Sequence, residues 1–133
     1  MSPEQFACSR AAVARSEGHE IHIHTGSSEE AMTLDDMLWT FRDVSFLPHD
    51  LVQAGDPRGE PITIGWHEQA PGGDMLINLA PDVPPFAGSF AFVVEPVPGQ
   101  PDLKQQARAR FRRYRDMGFD PKRHDVDADN GPS

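Results

Sequence analysis

Eight of the 12 Lys and Arg side chains stand between positions 104 and 123 (Lys104, Arg108, Arg110, Arg112, Arg113, Arg115, Lys122 and Arg123), opposed there only by Asp116 and Asp120. The residues before them hold four basic and 16 acidic side chains, and the 133-residue chain as a whole carries a formal charge of −9. A row of guanidinium groups has one principal chemistry, the pairing of carboxylate or phosphate oxygens, often two at a time. Its segregation inside an acidic protein points to an anionic partner. At 100° per residue, Leu103, Ala107, Phe111, Tyr114 and Met117 form an apolar stripe, and Lys104, Arg115, Arg108 and Arg112 run beside it on the Phe111 side. Cations and an aromatic ring share one edge.

Other candidates are weaker. His22 and His24 share one strand face and offer two imidazoles to a metal, but no Cys, Asp or Glu close in sequence completes a set, so surface or layer-facing histidines are the expectation. The turn His24-Thr25-Gly26-Ser27-Ser28 joins a strand to a helix N-terminus, where α/β proteins hold phosphate. It carries no glycine-rich phosphate motif, and Glu29 and Glu30 would repel an anion. Cys8 reads as a small buried helix residue, and no nucleophile–base arrangement announces a catalytic site. Trp39, Phe41, Phe46 and Leu47 crowd apolar groups around a segment expected at the surface; each reads singly as core, and together they suit a protein interface.

The elements that hold these residues follow from periodicity. A helix is expected over 3–17, stopped by Gly18; a strand over 19–25; and a second helix from Ser27, whose spacing to Glu30 makes a capping box, to about Phe41 with Ala31, Leu34 and Leu38 as its seam. The stretch VSFLPHDLVQAGDPRGEP reads as loop. Strands follow at 62–66 and 75–79, a short helical piece from Pro84 to about Ala91, and a strand at 92–97. The last helix begins at Pro101 and Asp102 and ends at Gly118. This alternation predicts an α/β sandwich with a largely parallel sheet.

Length and ordinary composition suit one domain, over 1–120, with 121–133 read as a disordered acidic tail. There is no apolar run of membrane-spanning length and no signal-peptide core, and the lone cysteine fits a reducing compartment, so the expected location is cytoplasmic. Net acidity argues against coating bare nucleic acid.

The chain resembles the chi subunit of bacterial DNA polymerase III, a clamp-loader accessory protein, in FACSRAAVARSEGHEIHIHT, LDDMLWTFRDVSFLPHDL, ITIGW, DMLINLAPDVPPF and VVEPVPGQPDLKQQARARFRRYRDMGF. The resemblance implies a Rossmann-like three-layer sandwich that has lost nucleotide binding, without catalysis, cofactor or metal. It further implies a bridge in DNA replication, from the clamp loader through the psi subunit to the acidic, Phe-terminated C-terminal tail of single-stranded DNA-binding protein. The family's tail site falls on Lys104, Arg108, Phe111, Arg112 and Val97, and its psi-facing surface on Trp39 and Phe46. Phe111 stands where a familiar relative has an aromatic hydroxyl, which leaves the apolar wall without the phenolic hydrogen bond. Family members begin with a strand and a short loop ahead of the first helix, whereas this sequence starts inside that loop, so either its start is assigned downstream of the true one or the first family strand is missing. Two other readings stay open on the residues alone: a nucleotide- or phosphate-binding α/β enzyme using the Gly26 turn, and a module binding single-stranded DNA directly through the basic helix.

Overall fold

The computed structural model describes residues 3–40, 49–52, 60–97, 101–119 and 124–125. Among these residues there are three helices, α1 (Pro3–Ser16), α2 (Ser28–Thr40) and α3 (Pro101–Asp116), together with strands β1 (Ile21–His24), β2 (His49–Leu51), β3 (Ile62–Gly65), β4 (Met75–Asn78) and β5 (Phe92–Val94). The five strands form one sheet in the order β2-β3-β1-β4-β5, with every neighbouring pair parallel. A parallel sheet needs both faces covered, and the residues comply: every residue of β1, β3 and β4 is buried.

Alternation sends the two side-chain sets to different layers. Ile21, Ile23, Ile62, Ile64, Met75 and Ile77 pack with Ala7, Cys8, Ala11 and Ala14 of α1 and Ala31, Leu34 and Leu38 of α2. Truncating a fully buried side chain such as Leu34 to Ala would cost about 2–5 kcal/mol. On the other face Leu76 meets Ala87, Phe90 and Tyr114, with Val93, Phe86 and Phe111 packed around them. Those residues come from a 3-10 turn (Ala87–Ser89) and α3, so α3 forms the layer opposite α1 and α2. The expected three-layer α/β architecture is the observed one.

Helix ends are set by local chemistry. Gly18 and Gly118 adopt φ of +90° and +100°, the conformation a left-handed C-terminal stop requires. After each, the next residue reaches back to the last turn, His19 N–H to Ala14 O and Phe119 N–H to Tyr114 O, both at 3.0 Å. The Phe119 ring then meets Tyr114 edge-on at 6.1 Å, the apolar contact that accompanies this motif. At the start of α2, Glu30 N–H donates to Ser27 Oγ at 3.2 Å and Gly26 N–H donates to Glu30 Oε1 at 2.9 Å, a reciprocal cap of the kind the spacing predicts.

Three boundaries differ from the sequence reading. The stretch read as loop contains β2, whose backbone pairs with β3 from His49↔Ile62 to Leu51↔Ile64. A three-residue edge strand among Pro and Gly gives too short a pattern to see. The helical piece expected over 84–91 shrinks to the 3-10 turn at 87–89. The strand expected over 92–97 breaks at Glu95 into β5 and a separate β6 (Pro96–Val97), where proline supplies no N–H to continue the ladder. β6 pairs in parallel with β7 (His124–Asp125), inside the segment read as a disordered tail; residues 126–133 lie outside the described residues.

Candidate functional site

α3 is basic all along its length, yet its cations have two distinct environments. Arg110 falls inside the apolar stripe of the wheel, and it is held there by a carboxylate. Its Nε donates to Glu95 Oε1, and its Nη1 donates to the carbonyl of Pro81 at 2.8 Å. Glu95 is 4% exposed and also accepts from Tyr114 Oη at 2.8 Å. Asn78, at the end of β4, completes the group: its Nδ2 donates to Tyr114 Oη at 2.9 Å and lies 3.1 Å from Glu95 Oε2, while its Oδ1 accepts from Ala80 N–H at 3.0 Å. Burial pushes the Glu95 carboxyl above the usual carboxylate range, against the opposing pull of Arg110 and the hydrogen bonds from Arg110, Tyr114 and Asn78. The Tyr114 hydroxyl is raised as well, first by burial and then by the neighbouring Glu95 charge. The network fastens α3 to the C-terminal ends of β4 and β5.

The outer edge is built differently. Arg108 and Arg112 are exposed, Lys104 is half-buried, and Phe111 is half-buried against the cluster of Leu76, Ala87, Phe90 and Tyr114. Among the described residues no carboxylate pairs with Lys104, Arg108 or Arg112. Successive positions 104, 108 and 112 stand one helical turn apart, so they form a row of donors beside an apolar ring face. Such an edge can accept an acidic peptide, with guanidinium groups on carboxylates and an apolar residue against Phe111. Val97 lies in β6, which packs against α3, so its backbone borders the same helix; its side chain is outside the described residues.

The second set of expected residues lies elsewhere. Trp39 is 59% exposed near the end of α2, in the layer across the sheet from α3. Phe46 falls outside the described residues, as do Phe41 and Leu47.

The alternative sites acquire structural occupants. The Gly26 N–H, the donor a phosphate at that turn would use, is taken by the chain's own Glu30 carboxylate. His22 Nδ1 lies 2.7 Å from Thr63 Oγ1, and its ring packs against Phe86 and Phe90 at 5.7 and 6.3 Å. His24 meets Phe86 edge-on at 5.2 Å, and its Nδ1 has no hydrogen-bond partner among the described residues. Burial, with repulsion from His67, pushes the His24 pKa down to about 4, so the ring is neutral at physiological pH. The described residues contain no cluster of three or more ligating side chains for a metal. Cys8 is fully buried, and its thiol is pushed up to about 11 by burial and by Glu4, which disfavours a thiolate. No helix among the described residues is long and apolar enough to cross a membrane.

Sequence reasoning missed the Glu95 network. Its hydrogen-bonded pairs are separated by 15 to 36 positions, so no local pattern connects them. The one available signal was Arg110 itself, a cation lodged in an apolar stripe, which demands a buried acid.

Known proteins resemble this chain along most of its length. Residues 1–122 match the family described as DNA polymerase III chi subunit, HolC. The DNA polymerase III subunit chi of Pseudomonas aeruginosa is 35% identical over 122 residues, covering 90% of this chain and 84% of the relative. That of Escherichia coli is 36% identical over 118 residues, covering 87% and 80%, and that of Haemophilus influenzae 32% over 121 residues, covering 90% and 84%. Identity of this order over nearly the whole parallel α/β domain, from α1 through the basic α3, places the chain in the DNA polymerase III chi subunit family.

Proposed function

We propose that this chain is a non-catalytic subunit of the DNA replication machinery that bridges two proteins. Lys104, Arg108, Phe111 and Arg112 on α3, with Val97 of β6 beside them, grip the acidic, Phe-terminated C-terminal tail of single-stranded DNA-binding protein. The surface around Trp39 and Phe46 docks the psi subunit, which anchors the protein to the clamp loader. The observation that carries the reading is the division of cations on α3: Arg110 is consumed by Glu95, whereas the exposed Arg108 and Arg112 border a half-buried ring and have no carboxylate partner among the described residues. A peptide with several acids and an aromatic terminal residue supplies what that edge lacks. Membership in the chi family supports the replication setting. Trp39 on α2 and the outer edge of α3 lie in different layers of the sandwich, which leaves room for two partners at once. The Glu30 carboxylate on the Gly26 N–H speaks against the nucleotide reading.

The test is titration of a synthetic acidic peptide ending in Phe with a free carboxylate, against the wild-type chain and Arg108→Ala at fixed salt. Loss of about tenfold in affinity is expected, since a charge-assisted hydrogen bond contributes about 1.5 kcal/mol or more. Unchanged affinity would remove Arg108 from the site. An oligonucleotide bound as tightly as the peptide would favour direct single-strand binding instead.

A further inference from the structure

The outward face of α2 has a chemistry of its own. At 100° per residue Asp35, Trp39, Met32, Asp36, Glu29 and Thr33 follow one another round an arc of about 160°, on the side away from the buried seam of Ala31, Leu34 and Leu38. Met32 is 56% exposed and Trp39 59%, and no other helix or strand among the described residues exposes two large apolar side chains. They stand seven positions apart, two helical turns or ~10 Å along the axis. Asp35 borders the pair on one side of the wheel, and Asp36 and Glu29 border it on the other. The helix holds no Lys or Arg.

Exposed apolar groups rimmed by charge mark a protein-docking surface, and the sign of the rim selects the partner. A second copy of the chain would set carboxylates against carboxylates, and a nucleic acid would bring phosphates to them. We infer that α2 docks a cationic amphipathic helix, whose apolar side chains two turns apart pack on Met32 and Trp39 while Lys or Arg on its flanks meet Asp35, Asp36 and Glu29. The inference rests on the reading that Trp39 belongs to the psi-docking surface, and it adds the chemistry of the segment that binds there. The two proposed interfaces then have opposite polarity: α3 offers cations to an acidic tail, and α2 offers carboxylates to a basic helix. Each surface repels the other's ligand, so the two partners do not exchange sites.

The experiment titrates the psi subunit encoded in the same genome into the full-length chain and three variants, at low and high salt, after thermal melting has shown each variant folded. Trp39→Ala should weaken binding about tenfold or more. D35N/D36N removes two rim charges and should weaken it about threefold, and D35K/D36K, which reverses them, about tenfold or more, both losses shrinking as salt rises. If Trp39→Ala weakens binding while D35K/D36K leaves it unchanged or strengthens it, the cationic partner is overturned and the docking surface stands. If none of the three variants changes binding, psi docking at Trp39 is overturned, and the cationic helix with it.

Discussion

Arg110 and Arg108 are the same residue type, two positions apart on one helix, and they do opposite things. Arg110 turns inward to Glu95, which Tyr114 and Asn78 also hold, and fastens α3 on the sheet; Arg108 is exposed and pairs with no carboxylate among the described residues. The contrast teaches that cationic charge on a helix divides by direction into a share that builds the fold and a share that meets partners. A buried pair of this kind contributes mainly by not being broken, because removing one member leaves the other charged and dry. An exposed cation contributes almost nothing to stability, and its worth appears only when an anion arrives.

The comparison is broken most severely by Glu95→Ala, which leaves Arg110 without its carboxylate and the Tyr114 hydroxyl without its acceptor. Chemical denaturation should show a loss of about 3–5 kcal/mol, and this loss should be insensitive to salt.

Next in size is a pH effect confined to the buried side. The depressed pKa of His24 means that folding binds fewer protons there than the unfolded chain does, so its stabilising contribution is present above the unfolded value of 6.5 and fades as the pH falls towards about 4. From this group alone, stability should drop by about 2 kcal/mol between pH 7 and pH 5. His24→Leu, which keeps an apolar group against Phe86, should flatten the profile by that amount. Glu95 acts in the opposite sense, since its raised carboxyl favours the folded state more when protonated and that advantage is lost as pH rises through its folded value.

A smaller effect belongs to the outer side. Arg112→Ala should weaken the acidic peptide by about 1–1.5 kcal/mol, with an affinity that falls steeply with salt in wild type and less steeply in the variant. The smallest is the stability change of Arg108→Ala or Arg112→Ala, within about 0.5 kcal/mol by thermal melting. Loss of stability comparable with Glu95→Ala would dissolve the distinction between the two sides.

Much of this was legible in the residues. The 3.6-residue seam of α2, the alternation that separates Ile21 and Ile23 from His22 and His24, the Ser27–Glu30 cap and the stops at Gly18 and Gly118 are local signals, and local physics decides them. The charged edge of α3 was legible for the same reason. What escaped depends on distant partners: Tyr114 reads as one more apolar group until Asn78 and Glu95 arrive from β4 and the end of β5. β2 escaped because three residues cannot display a period, and its place at the sheet edge is fixed by β3. Pairing of β6 with residues 124–125 escaped because composition reports what a segment cannot bury, not which backbone edge it can meet.

The division of α3 is tested most directly by mapping backbone amide shifts of the isotope-labelled chain as the Phe-terminated acidic peptide is added. The account predicts changes concentrated at Lys104, Arg108, Phe111 and Arg112 and at Val97, with Arg110 and Asn78 little moved. Shifts centred on Gly26 to Glu30, or spread over α2 with α3 silent, would contradict it.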